Sequence, residues 1–204
     1  MIKIVEFTAI FILLPLIFYL RIVPTYLIMP ALWIVFLYTY YVMKSDGMET
    51  VFKKIYSFDL NFMLLRFIFY GLVLLLFVYV FYEDKMFDFM FEKTGIYLLV
   101  MFLYPVLSVI PQEFVFRRFF FYRYDIFRSK SFLLYVNALA FGFVHLAFGN
   151  FLAVGLSIVG GYIFAKTYLK TKSFSLVCIE HALYGDLIFT IGLGEFFYHN
   201  GAVH

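Results

Sequence analysis

The sequence predicts an all-α protein, a polytopic membrane bundle of about seven transmembrane helices with a cytoplasmic N-terminus. Three observations lead to this prediction. Hydrophobic residues make up 65% of the 204 residues and charged residues only 14%, whereas charged residues are about 25% of a typical soluble domain. The apolar residues also form segments of about 20 residues, the length that crosses a bilayer. Finally, Lys and Arg are unequally distributed between the connecting segments.

Seven apolar segments satisfy the length requirement for a membrane span. They lie near residues 4–20, 25–43, 64–82, 96–116, 132–148, 151–168 and 174–193. The first has the length of a signal sequence, but Glu6 interrupts it and no small-residue cleavage site precedes Arg21. We therefore interpret it as a retained span.

The positions of the basic residues predict the orientation, because the cytoplasmic loops of membrane proteins collect Lys and Arg. With residue 1 in the cytoplasm, all 16 basic residues except Arg21, Lys85 and Lys93 fall on the cytoplasmic side. One span more or fewer would destroy this division of basic residues, so the division supports seven spans. An odd number of spans places the two termini on opposite sides, which predicts an external C-terminus. Since the chain has no linker or repeat, we expect one integral membrane domain over residues 1–204.

Small residues recur every four positions in the sixth span. They are Ala153, Ser157, Gly161 and Ala165. Residues of this size let a neighbouring helix approach closely, so the stripe predicts tight helix packing and carries no chemistry of its own.

Polar side chains inside the later spans call for an explanation, because burying them in a bilayer is costly. The stretch SVIPQEFVFRRFFFYRY, residues 108–124, contains Gln112, Glu113 and Arg117. Glu113 and Arg117 are four residues apart, so they can pair on one helix face. Later spans add His145, Glu180 and His181.

The helical rise of 1.5 Å per residue places Gln112, His145 and His181 roughly 10 to 16 Å from the cytoplasmic water line. A carboxylate and two imidazoles held together at this depth can activate water, protonate a leaving amine and stabilise an oxyanion. The shared depth favours a reaction centre inside the bilayer. The alternative is a helix that leaves the membrane, with an ion pair of Glu113 and Arg117 that marks the water line and has only a structural role. The candidate catalytic residues are Gln112, Glu113, Arg117, His145, Glu180 and His181.

Three motifs in this order resemble the CPBP (CAAX-protease and bacteriocin-processing, or Abi) intramembrane endopeptidases. They are PQEFVFR at 111–117, FGFVH at 141–145 and IEHALYG at 179–185. The family patterns are E-E-x-x-x-R, F-x-x-x-H and H-x-x-x-N. The resemblance covers residues 96–193, whereas the three spans within residues 1–95 resemble the family only in hydrophobicity. It implies hydrolysis of a peptide bond in a membrane-associated protein or peptide.

The match to the family motifs is incomplete, which assigns the chain to a subgroup with Gln at the first motif glutamate. Gln112 stands where the family has its proposed base, and an amide cannot take that proton. Gly185 stands at the asparagine thought to help hold the oxyanion, and Asp186 is displaced by one position. Arg118 replaces a small residue that commonly follows the motif arginine.

These departures leave three hypotheses open. In the first, Glu113 or Glu180 supplies the carboxylate of a glutamate-type or metal-assisted protease. In the second, Gln112 positions water while His145 and His181 handle the protons, with weakened activity. In the third, the chain is a catalytically silent relative that binds a membrane partner.

No cofactor is firmly implied by the resemblance. His145, His181 and Glu113 are ligand types that suit zinc, so a divalent metal is a minority alternative. The partners expected are membrane lipid and a membrane-embedded or lipidated peptide or protein substrate, with no nucleic acid. The location expected is the inner or plasma membrane of a prokaryotic cell.

Overall fold

A computed structural model describes residues 2–47, 55–125 and 129–197, and most of these residues are helical, with no strand among them. Seven long helices follow in order: α1 Ile2–Tyr19, α2 Thr25–Ser45, α3 Phe58–Phe81, α4 Thr94–Arg123, α5 Ser131–Phe148, α6 Phe151–Thr171 and α7 Phe174–Thr190. Helical turns at Glu83–Lys85 and Asp88–Glu92 connect α3 to α4, and Leu193–Phe197 follows α7. The predicted helical membrane bundle is confirmed.

By length and composition, α1 to α6 are the 6 helices within the described ranges that can cross a membrane. The seventh predicted span forms α7, whose 17 residues are at the lower end of the length that crosses a bilayer. These helices and the apolar composition make the chain an integral membrane protein. Its orientation stays a prediction, and Lys53, Lys54 and Arg128, which contribute to it, lie outside the described residues.

Two tight turns place α5, α6 and α7 side by side. Gly149 has a positive φ of 76° after α5, and Asn150 then caps α6 by accepting a hydrogen bond from the Ala153 amide at 2.7 Å. Ser173 caps α7 in the same way through the Leu176 amide at 3.2 Å. Because such caps satisfy amides that have no partner within the helix, each chain reversal needs only a few residues.

The small-residue stripe of α6 packs against α5, as the sequence predicted. A Cβ added at Gly161 would lie 3.0 Å from Cβ of Phe141 and 3.2 Å from Cα of Ala138. On the facing helix, a Cβ at Gly142 would lie only 2.2 Å from Cγ1 of Ile158. The two backbones therefore approach closely, and this contact holds Phe141 at the centre of the bundle.

Helix α4 is irregular where it carries the first motif. Its segments Pro105–Val109 and Phe114–Phe119 are π-helical, and proline removes a backbone donor from the usual i to i−4 bonding. All six side chains of Phe114–Phe119 are buried. The motif-bearing half of α4 is therefore enclosed by other helices, and regular 3.6-residue spacing does not describe it.

The end of α4 is tied to α1 by a carboxylate. Glu6 is 7% exposed and accepts hydrogen bonds from Arg123 Nε at 3.0 Å, Tyr124 at 2.9 Å and Tyr38 at 2.8 Å. This network joins α1, α2 and the end of α4 around one anion. Helix α1 therefore packs against the rest of the bundle at this point.

Candidate active site

A buried chain of polar contacts links Glu113 on α4 to His181 on α7 and then to Tyr104. Glu113 Oε1 lies 2.8 Å from His181 Nδ1, and His181 Nε2 lies 3.0 Å from the Tyr104 hydroxyl. With Glu113 ionised beside Arg117, its carboxylate can only accept, so Nδ1–H donates to it. In the neutral imidazole, Nε2 then accepts from the Tyr104 O–H. The imidazole is fixed in one tautomer and one orientation.

Arg117 neutralises this carboxylate from inside the same helix. Its Nε lies 3.1 Å from Glu113 Oε2, and both side chains are 0% exposed, so the predicted ion pair is confirmed and is fully buried. Arg117 Nη1 donates to Asn137 Oδ1 at 2.5 Å, while Asn137 Nδ2 donates to the Phe116 carbonyl at 2.6 Å. The guanidinium also lies 4.8 Å above the centre of the Phe141 ring. These contacts compensate in part for desolvating the charge.

His145 is held at the end of α5 by its own helix. Its Nδ1 lies 2.7 Å from the Phe141 carbonyl oxygen, and because a carbonyl can only accept, Nδ1 carries the proton and Nε2 keeps a lone pair. The ring centre is 4.9 Å from that of Phe141, which also contacts the His181 ring at 5.5 Å. The second-motif phenylalanine therefore packs against both imidazoles.

Gln112 lies one residue before Glu113 but has different surroundings. Its Nε2 donates to the Ser108 hydroxyl at 2.6 Å. Its Oε1 is buried and finds no hydrogen-bond partner among the described residues. An unpaired buried acceptor is uncommon in folded proteins, so this amide oxygen is available to orient a bound molecule.

One large cavity, of about 710 Å³, brings the two histidines and Gln112 together. Its remaining wall is mostly aliphatic and aromatic and comes from α2 to α7. Tyr104 is hydrogen-bonded to His181, and Ser108 to Gln112. The other hydroxyl side chains of the lining are Thr25, Tyr26, Tyr70, Ser157 and Tyr184. The structure thus joins the residues that the helical rise placed at one depth, while their catalytic roles stay predictions.

Glu180 is directed to other partners. It is 0% exposed, forms an ion pair with Arg66 and accepts a hydrogen bond from Thr167 at 2.6 Å. Neither Glu180 nor Asp186 is among the described residues that line the cavity, and Glu113 is connected to it only through His181. Of the two carboxylates that the sequence offered as the base, Glu113 is the one that contacts an imidazole.

Tyr104 is the site residue that the sequence interpretation missed. A Cβ added at Gly185 would lie 2.2 Å from Cε1 and 2.4 Å from the hydroxyl oxygen of Tyr104. The tyrosine therefore occupies the space beside His181 where a side chain at position 185 would lie. The sequence spacing was only a partial signal: Tyr104, Ser108 and Gln112 recur every four residues, but the π-helical segment Pro105–Val109 between them means that this spacing does not fix a shared face.

The zinc alternative does not fit this arrangement. Within the part of the chain that the structure describes, no three His, Cys, Asp or Glu side chains group closely enough to hold a metal ion. Glu113 and His181 are hydrogen-bonded to each other, and Arg117 already neutralises the carboxylate. We therefore derive no step through a metal.

Comparison with known proteins agrees with the motifs. Residues 92–185 match the sequence model of a family described as Type II CAAX prenyl endopeptidase Rce1-like. The matched segment contains all three motifs and supports the resemblance to the CPBP family over the C-terminal half. No curated protein and no solved structure matches the chain.

Proposed function

We propose that this protein is a CPBP-type intramembrane endopeptidase, which hydrolyses a peptide bond of a membrane-associated protein or peptide. The observation that carries the proposal is the shared cavity, where His145, His181 and Gln112 meet inside a helical membrane bundle. The family match over residues 92–185 supports the same reaction class.

His145 is the general base in this proposal. Its Nδ1 proton is bound by the Phe141 carbonyl, so Nε2 can take a proton from water. The resulting hydroxide attacks the carbonyl carbon of the scissile bond. The imidazolium then returns the proton to the leaving amine, which restores neutral His145.

Gln112 and Glu113 have supporting roles. The unpaired Oε1 of Gln112 accepts a hydrogen bond from the attacking water and so orients it, while the proton goes to His145, since an amide cannot act as the base. Glu113 fixes the tautomer and orientation of His181, as the carboxylate of a catalytic triad does for its histidine. The proposal shares with the second hypothesis from the sequence the role of Gln112 in positioning water, but it assigns proton transfer to His145 alone and makes Glu113 a positioning residue for His181.

The cavity favours a substrate with a large apolar part. A volume of about 710 Å³ with mostly apolar walls is large enough for a lipid chain or a membrane-embedded segment beside the scissile bond. We therefore expect a lipidated or membrane-embedded substrate. Because the matching family is described as CAAX prenyl endopeptidases, an isoprenoid-modified C-terminus is the first candidate. A prokaryotic inner membrane stays the expected location.

Peptide hydrolysis in lipid nanodiscs tests this function. The protein is incubated with a farnesylated C-terminal peptide, the same peptide without the lipid, and a transmembrane peptide, and the products are identified by mass spectrometry. We expect cleavage of at least one apolar substrate, and a loss of about 100-fold or more in His145→Ala. Thr171→Ala, a polar-to-alanine change on α6 outside the cavity, is the control and should retain activity. A folded wild-type protein that cleaves none of the peptides would refute the hydrolase and favour a silent membrane-partner binder.

A further inference from the structure

We infer that Tyr104 is a further catalytic residue, whose hydroxyl donates a hydrogen bond to the carbonyl oxygen of the scissile peptide as negative charge develops there. The inference rests on the proposed endopeptidase function. Tyr104 lies outside all three motifs, seven residues before the first begins. Its role follows from its contacts.

The Tyr104 hydroxyl stands between a fixed histidine and the cavity. It lies 3.0 Å from His181 Nε2, and both residues line the cavity that also contains His145. The opposite nitrogen of His181 is held by Glu113 at 2.8 Å. The hydroxyl is therefore positioned by a buried, hydrogen-bonded chain that begins at an ion pair.

The donors that line the cavity favour this hydroxyl. The hydroxyls of Ser157 and Tyr184 also belong to the lining, but neither contacts an imidazole among the described hydrogen bonds. The N–H of His145 donates to the Phe141 carbonyl, and the N–H of His181 donates to Glu113. The amide N–H₂ of Gln112 has Ser108 as its partner. An oxyanion needs donors directed at the oxygen where charge develops. Among the described hydroxyls, that of Tyr104 is the one that contacts an imidazole.

The hydroxyl can change partner without a change in the backbone. In the resting state it donates to the neutral Nε2 of His181. A hydrogen bond to an anion is roughly twice as strong as one between neutral groups. As charge builds on the substrate oxygen, rotation about the C–O bond of Tyr104 therefore becomes favourable. No proton leaves the tyrosine in this step.

The position of the Tyr104 ring depends on the absence of a side chain at Gly185. Any Cβ at position 185 would lie within 2.2 to 2.5 Å of three Tyr104 atoms, so the tyrosine ring requires glycine there. The motif asparagine of the resembled family stands at this position. In this chain a hydroxyl from α4 thus occupies the place beside His181 that an amide from α7 would otherwise fill.

Tyr104→Phe tests the role directly, because it removes one oxygen atom and keeps the ring that packs on Gly185. We expect kcat on the best substrate to fall by about 100-fold or more, with little change in KM, as expected for a donor that acts in the transition state. Tyr97→Phe is the matched control. Its hydroxyl lies on the same helix, bonds Thr190 at 3.0 Å and is not among the described cavity residues, so kcat should stay within about twofold.

A residue swap separates a catalytic from a structural tyrosine. Tyr104→Ala should lower kcat at least as much as Tyr104→Phe, and Gly185→Asn alone should lower the thermal midpoint because its Cβ collides with the ring. The double variant Tyr104→Ala/Gly185→Asn should regain about tenfold or more of the kcat lost in Tyr104→Ala, since an amide donor replaces the hydroxyl.

The outcomes distinguish this inference from the proposed function. An active wild-type protein whose kcat is unchanged in Tyr104→Phe, or lost in Ser108→Ala instead, overturns the role of Tyr104 and leaves the endopeptidase in place. A folded wild-type protein that cleaves no substrate overturns both. Loss in Tyr104→Phe at an unchanged thermal midpoint, with recovery in the double variant, supports the inference.

Discussion

Two buried carboxylates of the bundle have the same charge and the same burial but different surroundings. Glu113 and Glu180 are each 0% exposed, and each forms an ion pair with an arginine. Glu113 also accepts a hydrogen bond from His181, which lines the cavity. Glu180 instead joins Arg66 on α3 to Thr167 on α6.

This difference shows that a buried carboxylate in a membrane helix does not by itself mark chemistry. Both side chains are costly to bury and both have compensating partners. The Glu113 group connects a charge to an imidazole at the cavity, whereas the Glu180 group connects helices. The hydrogen-bond partners of a buried carboxylate, more than its burial, therefore distinguish a reaction centre from a structural contact between helices.

Glu113→Gln and Glu180→Gln compare the two carboxylates directly. Each change leaves an arginine in the bundle without its counter-charge, so we expect each to reduce the free energy of unfolding by about 3 kcal/mol or more. Only Glu113→Gln should also lower kcat/KM of the folded protein, by about 100-fold or more, because His181 loses its anionic partner. Thermal unfolding and peptide hydrolysis on the same monodisperse samples measure both effects. An equal loss of activity in Glu180→Gln would abolish the distinction.

Apolar replacement of each whole pair sharpens the comparison. Arg66→Met alone should cost about 3–5 kcal/mol, since it leaves Glu180 buried and unpaired. The double variant Arg66→Met/Glu180→Leu should recover most of that stability and remain active. Arg117→Met/Glu113→Leu should recover stability in the same way but stay inactive. Activity in this second double variant would show that the Glu113 pair is only structural.

Gln112→Glu asks whether a third carboxylate, placed on the cavity, changes the chemistry. The Ser108 hydroxyl, which now accepts from the Gln112 amide, can turn to donate to the new carboxylate. A base beside His145 should then raise kcat/KM by about tenfold or more, and His145→Ala should abolish the gain. A decrease at neutral pH would mean that the added charge disturbs a carboxylate that already serves as the base.

A partly exposed ion pair should contribute least to the free energy of unfolding. Lys85 and Glu195 are 35% and 37% exposed, so Lys85→Gln should cost less than about 1 kcal/mol and leave hydrolysis unchanged. The hydrogen bond to Glu195 raises the pKa of the Lys85 ammonium above its usual value. This contribution is therefore present below pH of about 10 and disappears as the pH rises through the higher folded-state pKa. The thermal midpoints of the wild-type protein and of Lys85→Gln, at neutral and at strongly alkaline pH, measure this contribution. A loss at neutral pH as large as that of the buried pairs would contradict the expected order of effects.

Much of the architecture could be predicted from the sequence because its causes are local. Span length and hydropathy predict the helices, and four-residue spacing predicts both the small-residue stripe and the Glu113–Arg117 pair. The order of the motifs and the helical rise placed Gln112, His145 and His181 at one depth, and they line one cavity. Each of these inferences needs only distances along the chain.

The pairing of distant residues could not be predicted in this way. Tyr104 meets His181 across 77 positions, and Arg66 meets Glu180 across 114. The π-helical segments of α4 also change the angle between successive side chains, so regular helical spacing does not tell which of them face α7.

The sequence by itself determined that this chain is a helical membrane protein and that a few polar residues share one depth in its bundle. Only the tertiary structure decided that Glu113 holds His181, that Glu180 holds Arg66, and that Tyr104 fills the space above Gly185. Hydropathy and helical periodicity depend only on residues that are close together in the sequence, so they can be read without the tertiary structure. The partner of a buried side chain depends instead on the rotation of each helix and on the volume that the other helices leave.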